Sequence, residues 1–284
     1  MRKIGMNLGA KAGLSVREYS EKMRAAGFEA VFTETPPIAE CDEIGNAFCE
    51  FGLSWESIHA PFKGINNIWL DNLDGDEMYK RLISAVDICS KVRVPVTVMH
   101  LSSGMNPPSV NMIGTDRFAK IIDFAGEKGV TVAFENQRMM TNIVYAMERF
   151  SSCENVGFCW DTGHENCFTP GWHYMPLFGD RLVCTHIHDN NGVFNSDEHL
   201  IPFDGNIDFQ SVADEIRASG YKGSVMLEVF CENSHRYDDM EYDSYFAKAA
   251  KAADRIRQMI DRKAQIQKNK KCRLFSESAF LLEI

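Results

Sequence analysis

Eight short segments rich in β-branched and aromatic residues alternate along the chain with longer segments of helical periodicity. The short segments are residues 3–9, 29–34, 53–59, 94–100, 130–136, 156–161, 182–188 and 224–230. Each connection is long enough to hold a crossover helix, so all the strands can run parallel. Eight such units suit a closed barrel of about 250 residues, and the chain has 284. We therefore predict an α/β fold built as a single (β/α)8 TIM barrel.

The intervening segments carry helix signals. Ser15, followed three residues later by Glu18, has the pattern of a capping box. Apolar residues recur at helical spacing in 75–92 and 115–129, and residues 245–260 are predicted to form the eighth helix. An open doubly wound sheet is the alternative fold, but "NLGAKAG" after the first strand is a poor match to the glycine-rich turn expected there.

The last residues differ in composition from the rest of the chain. After about residue 264 a basic polar run is followed by an apolar end. We predict a catalytic barrel over 1–263 and a short C-terminal extension over 264–284, which is either disordered or a contact in a homo-oligomer.

Acidic residues and histidines stand where the predicted strands end. They are Glu34, His59, His100, Glu135, Asp161, His186 with His188, and Glu228. In a parallel barrel these ends converge on one mouth, where the active sites of this architecture lie. Carboxylates gathered in a poorly solvated mouth repel one another unless a cation neutralises them. The pattern therefore predicts an oxygen-rich site for a divalent metal ion, and two glutamates there would also provide an acid/base pair.

Composition argues against other classes of function. The net charge is −10 and the pI is about 5.3, so we expect no nucleic-acid partner and no attraction to an anionic membrane. No apolar run approaches the roughly 18 residues of a membrane span. The nine cysteines form no CxxC pair, which suggests reduced thiols in a cytoplasmic protein.

Seven motifs together resemble the xylose isomerase-like barrel superfamily, which contains sugar (phosphate) isomerases and epimerases, inosose-processing proteins, D-tagatose 3-epimerases and endonuclease IV. They are "SIHAPF" (57–62), "MHLSSG" (99–104), "VAFEN" (132–136), "GFCWDTGH" (157–164), "THIHDNNG" (185–192), "DEHLIPFDGNIDF" (197–209) and "VMLEVF" (225–230). The resemblance implies four metal ligands, which are Glu135, Asp161, His186 and Glu228. Of these, Glu135 and Glu228 would be the acid/base pair. His188 competes with His186, because both point the same way on a strand.

The remaining candidates are expected to contact the substrate. They are His59, His100, His164, His188 and His199. Phe62, Trp69, Trp172 and Phe194 could add an apolar wall, although such aromatic residues are more often packed in a core. Glu34 either reaches the site or caps the turn near Pro36 and Pro37.

The resemblance implies an enzyme that abstracts a proton next to the carbonyl of a keto-sugar or related polyol, using one divalent ion. Mn²⁺ is expected first, with Mg²⁺, Co²⁺ or Zn²⁺ as alternatives. The outcome could be isomerisation, epimerisation, or elimination from a 3-keto sugar, glycoside or inosose. The rival is a three-zinc DNA-repair phosphodiesterase like endonuclease IV, because the chain also has the Asp161–His164 and Asp197–His199 pairs of that pattern. A third hypothesis is a non-enzymatic subunit. The presence of all three carboxylates, Glu135, Asp161 and Glu228, argues against it.

Overall fold

Eight parallel strands form the centre of the molecule. In this computed structural model the backbone is described for residues 1–280 and the side chains for residues 1–261. The strands are β1 (Ile4–Asn7), β2 (Ala30–Glu34), β3 (Ser54–His59), β4 (Val96–Met99), β5 (Thr131–Glu135), β6 (Val156–Asp161), β7 (Leu182–His186) and β8 (Val225–Leu227). All eight predicted strands are confirmed, several of them shorter than the sequence suggested.

The sheet closes on itself. Its order is β7-β6-β5-β4-β3-β2-β1-β8, and every pairing in it is parallel. The two ends meet just beyond β7, where Ile187 forms a parallel bridge with Leu227. There the Ile187 amide donates to the Met226 carbonyl at 2.9 Å, and the Glu228 amide donates to the Ile187 carbonyl at 3.1 Å. The structure is therefore a closed barrel, and the open-sheet alternative is excluded.

Helices surround the strands. They are α1 (Val16–Ala26), α2 (Cys41–Phe51), α3 (Leu73–Val92), α4 (Met112–Glu127), α5 (Met140–Arg149), α6 (Thr162–Phe168), α7 (Met175–Phe178), α8 (Phe209–Ser219), α9 (Cys231–Ser234) and α10 (Tyr242–Phe280), with short 3-10 helices at Ile38–Glu40, Ile65–Trp69 and Gly179–Arg181. Within the described part of the chain, none of these helices combines the length and the apolar character needed to cross a membrane.

Local signals explain where several helices begin. The Ser15 and Glu18 capping box is present: the Glu18 amide donates to Ser15 Oγ, and the Ser15 amide donates to Glu18 Oε2 at 2.9 Å. Asn72 and Asn111 accept backbone amides at the starts of α3 and α4. These asparagine caps start both helices two or three residues earlier than apolar periodicity alone predicted.

The barrel interior is apolar below the mouth. A layer of small and apolar side chains packs there, formed by Val98, Ala133, Cys159 and Cys184. The polar groups of the mouth lie above this layer, at the carboxyl ends of the strands. The predicted tail, 264–284, lies outside the residues whose side chains are described. The boundary at 263 and both suggested roles of the tail therefore stay predictions.

Candidate metal centre and active site

Four buried side chains meet at the carboxyl ends of four neighbouring strands. Glu135, Asp161 and His186 end β5, β6 and β7, and Glu228 directly follows β8. Each offers one ligand atom, and these atoms all lie within 4.8 Å of one another. We call these four residues the inner group. Their placement follows from the parallel register, in which Asp161 pairs with His186.

Glu135 lies between the inner group and two further histidines. Its Oε1 is 2.9 Å from His186 Nδ1, while its Oε2 is 2.6 Å from His100 Nε2 and 3.3 Å from His59 Nε2. His59, His100 and Glu135 therefore form a second set of potential ligands. His59 ends β3 and His100 directly follows β4, in line with the predicted strand ends.

A third set stands next to Asp161. It contains His164, His188, Asp197 and His199, and we call it the outer group. Asp197 Oδ2 is 3.2 Å from His164 Nε2 and 3.1 Å from His199 Nε2. The rings of His188 and His199 stack with their centres 4.0 Å apart. Gly163 leaves room for this stack, because a Cβ at that position would lie 1.8 Å from the His188 ring.

The structure distinguishes the surroundings of His186 from those of His188. His186 Nδ1 faces two inner carboxylates, Glu135 at 2.9 Å and Glu228 Oε2 at 3.4 Å. His188 Nε2 instead lies 3.0 Å from Asp161 Oδ1. His188 lies two residues beyond the end of β7 and belongs to the outer group, although it contacts an inner carboxylate.

The charges in the inner group are strongly interdependent. Burial favours the neutral form of Glu135, but His186 and His100 outweigh burial and hold its pKa well below the usual value. Burial and the neighbouring Glu135 raise the pKa of Glu228 despite the attraction of His186. Burial also opposes a charge on His186, but Glu228 and Glu135 raise its pKa to about 10. Without a metal ion, Glu135 therefore stays ionised beside protonated His186, whereas burial favours the protonated form of Glu228.

The two histidines beside Glu135 differ in protonation. Burial opposes a charge on His59, but Glu34 and Glu135 raise its pKa to about 9. Burial dominates at His100 and lowers its pKa to about 4. The pair shares a single proton at neutral pH, as expected for two imidazoles whose Nε2 atoms lie 3.1 Å apart.

The donor set suits a divalent metal ion. Asp161 is fully buried, and among the described residues its Oδ2 has no hydrogen-bond partner. A buried carboxylate oxygen without a partner is costly unless a cation meets it. Three carboxylates and one imidazole are hard and borderline ligands, which suit Mn²⁺, Mg²⁺, Co²⁺ or Zn²⁺. The inner group can therefore hold such an ion.

Two supporting side chains, Asn136 and Gln137, were not predicted from the sequence. The Asn136 side chain clamps the backbone of Asp161, since its Oδ1 accepts from the Asp161 amide and its Nδ2 donates to the Asp161 carbonyl, both at 2.8 Å. Gln137 Nε2 lies 3.0 Å from His100 Nε2 and 3.1 Å from His164 Nδ1. The "ENQ" run after β5 was the available signal for both. It was missed because amides carry no charge and so did not stand out at the strand end.

Asp189 organises the loop that carries the outer group. Its carboxylate accepts backbone amides from Asn190, Phe203, Gly205 and Ile207 at 2.8–3.1 Å. A Cβ on Gly205 would lie 2.4 Å from Asp189 Oδ1, so only glycine permits this approach. These bonds fold back the segment that contains Asp197 and His199.

The mouth is a cavity of about 370 Å³ lined by residues of all three sets. Glu34 lies at its rim with Oε2 3.9 Å from His59 Nδ1, and the following 3-10 helix has no side-chain cap. Of the aromatic candidates, Phe62 packs against His59 and His100 at the mouth. Trp69 is buried, donates to the Leu101 carbonyl and packs against Phe118, so it belongs to the core.

Comparisons with known proteins agree with this architecture. The protein y4fM of Sinorhizobium fredii is 28% identical over 259 residues, covering 78% of this chain and 80% of the relative. The D-psicose 3-epimerase of Clostridium cellulolyticum H10 superposes with a TM-score of 0.74 at 15% identity, covering 91% of this chain and 99% of that one. The 3-keto-D-glucoside 4-epimerase YcjR of E. coli has a TM-score of 0.70 at 16% identity, with 91% and 100% covered.

Identities this low establish only a common fold. The family assignment comes instead from a sequence profile described as a xylose isomerase-like TIM barrel, which matches residues 20–266. That match covers most of the chain and confirms the resemblance seen in its motifs. The chain therefore belongs to the xylose isomerase-like TIM barrel family.

Proposed function

We propose that this protein is a divalent-metal-dependent enzyme of the sugar isomerase/epimerase type, which moves a proton on the carbon next to the carbonyl of a keto-sugar or related polyol. The observation that carries the proposal is the inner group, in which two buried glutamates flank a potential metal position. The solved structures with the same fold include enzymes named as sugar epimerases, which supports this class.

The chain's own residues can perform the proton transfers. Glu135 Oε1 and Glu228 Oε2 lie 2.9 and 3.4 Å from His186 Nδ1, so both carboxylates are near enough to exchange a proton with a substrate carbon bound at this point. His100, His164 and Gln137 line the mouth and offer polar atoms to substrate hydroxyls. Phe62 covers the two histidines beneath it and limits the access of water.

A bound ion would be held by Glu135, Asp161, His186 and Glu228. It would supply a positive charge that stabilises the negative charge developing on the substrate oxygen. Mn²⁺ is the ion we propose first. We also propose a cytoplasmic enzyme, in line with the eight free cysteines among the described residues.

Solvent deuterium exchange tests the proposal. Protein stripped with a chelator and reloaded with Mn²⁺, Mg²⁺, Co²⁺ or Zn²⁺ is incubated in D₂O with a panel of ketoses, 3-keto glucosides and inososes. We expect deuterium to be incorporated next to the carbonyl only when metal is present, and NMR measures this incorporation. The same spectra follow consumption of the substrate, which detects elimination even when no deuterium is returned to that carbon. Absence of both exchange and substrate consumption on the whole panel with every metal would overturn the proposal.

A second candidate rests on a specific observation. The described residues provide four overlapping potential ligand sets, three of which share Glu135, while the outer group adjoins Asp161. This is more than one metal ion requires, and it favours the three-zinc phosphodiesterase as the alternative. Metal analysis and an abasic-site DNA duplex separate the two. Three zinc ions per chain with cleavage of the duplex would favour the alternative, and one ion per chain without cleavage would favour the sugar enzyme.

A further inference from the structure

A second cavity, of about 640 Å³, adjoins the mouth and plays no part in the proposed chemistry. It lies between the start of α5 and the segment after α6. We call it the apolar groove, and its apolar walls are Met139, Met140, Val144, Tyr145, Phe168 and Trp172. Arg138 is the one charged residue among the described residues that line it. Cavities of this size commonly hold small molecules.

The apolar groove and the mouth share a wall. Arg138 lines both cavities. Its guanidinium lies 3.6 Å from the centre of the Phe168 ring, and that ring stacks on His164 at 4.7 Å. His164 Nδ1 in turn is 3.7 Å from Glu135 Oε1. The stacked rings of Phe168 and His164 therefore separate the apolar groove from Glu135.

The two cavities differ in chemistry. A free sugar carries hydroxyl groups around its whole ring and would lose hydration in the apolar groove without replacement hydrogen bonds. An aromatic or aliphatic group would instead be stabilised by burial there. Trp172 remains 62% exposed at the edge of the groove, so its ring is available to stack on an incoming aromatic group.

We propose that the substrate is a keto-glycoside, a glycoside whose sugar ring carries the carbonyl and enters the mouth while its apolar, preferably aromatic, aglycone lies in the apolar groove. This inference rests on the proposed function and narrows its substrate class. The aglycone is the part of a glycoside that can be apolar, and it is joined to the ring through one oxygen. Such a molecule spans two adjoining cavities of opposite polarity.

Calorimetry on the Mn²⁺-loaded wild-type protein measures binding directly when the probes are unoxidised glycosides, which lack the ring carbonyl and so are not turned over. The probes are methyl and 4-nitrophenyl glycosides of glucose and galactose, in both anomers. We expect at least one 4-nitrophenyl glycoside to bind about tenfold or more tightly than its methyl counterpart. Adding Trp172→Ala or Met140→Asp should remove most of that difference and leave methyl glycoside binding unchanged. Leu177→Ala, an exposed apolar residue that does not line the groove, is the matched control.

Equal affinity for every methyl and 4-nitrophenyl pair, including no measurable binding of either, would overturn the inference. So would a preference that persists in both groove variants. A dimer in sedimentation velocity that dissociates with Met140→Asp would show that a second copy covers the groove, and would also overturn it. Deuterium exchange on free ketoses without an aromatic preference would refute this inference alone. An aromatic preference without exchange on any substrate would refute the proposed function alone.

Discussion

The inner and outer groups lie side by side at the same mouth but are built differently. The inner group stands on strand ends or directly after one, and three of its four members are carboxylates. The outer group has three histidines and one carboxylate, and Asp197 and His199 lie in the long loop after β7. Barrel closure positions the first group, whereas hydrogen bonds to Asp189 organise the loop of the second.

This difference has a chemical consequence. Carboxylate oxygens favour harder ions such as Mn²⁺ and Mg²⁺, whereas imidazoles suit Zn²⁺ better. We expect the inner group to bind its ion in a rigid frame and the outer group to depend on the order of its loop. Four experiments would sharpen or break this comparison.

The largest effect is expected from Glu135→Gln. Glu135 belongs to the inner group and also faces His59 and His100, so its loss removes a metal ligand and a proton carrier together. We expect Mn²⁺ to be lost on gel filtration and the exchange rate to fall by at least about 10²–10⁴-fold. Glu127→Gln, on the exposed end of α4, is the control. Retained metal and exchange in Glu135→Gln would show that the inner group is not the active centre.

The pH dependence of metal affinity should differ between the groups. A metal ion has to displace the proton that the buried histidine holds in the metal-free protein. Burial opposes protonation of both His186 and His199. Glu228 and Glu135 nonetheless raise the pKa of His186 to about 10, and Asp197 raises the pKa of His199 to about 9. Apparent affinity should therefore rise up to about tenfold per pH unit for each proton displaced, with one histidine to deprotonate at the inner group. The outer group has two, because Asp161 and Asp197 outweigh burial and also raise the pKa of His164, so its affinity should rise more steeply with pH. Metal titrations in Asp197→Asn and wild-type protein separate the two profiles, and affinity independent of pH would contradict both pKa shifts.

Asp189→Asn should disturb the outer group selectively. The amide keeps one acceptor but turns an NH₂ group toward two of the four backbone amides, leaving buried donors unsatisfied. We expect unfolding in urea to show a loss of about 1–3 kcal/mol, together with weaker Zn²⁺ binding and unchanged Mn²⁺ binding. Equal weakening of both metals would mean that the two groups are not held independently.

The smallest effect on proton exchange is expected from Asp197→Asn. This side chain contacts His164 and His199 in the outer group and is not among the inner ligands. If one metal ion suffices for a sugar enzyme, deuterium exchange should change by less than about tenfold. A collapse of exchange as large as that of Glu135→Gln would show instead that the outer group takes part in the chemistry, as the multi-metal alternative requires.

Much of the candidate site was accessible from strand endings alone. Once eight parallel strands were recognised, Glu135, Asp161 and His186 had to meet, because closure brings all carboxyl ends to one rim. The choice between His186 and His188 was not accessible from strand endings, and only the family resemblance favoured His186. Residues two apart point to the same side of a strand, so only the positions of Glu228 and Asp161 decide which group each histidine joins.

The order of apolar and helical segments along the chain determined the barrel, because strands and helices follow from local periodicity. The charged residues at the strand ends determined where the site lies, because closure of a parallel barrel brings those ends to one rim. Tertiary structure alone decided that the ligands divide into separate sets, that Asp189 folds the loop of the outer group, and that an apolar groove adjoins the mouth. These features arise from contacts between residues far apart in the chain, whose distances no local pattern contains.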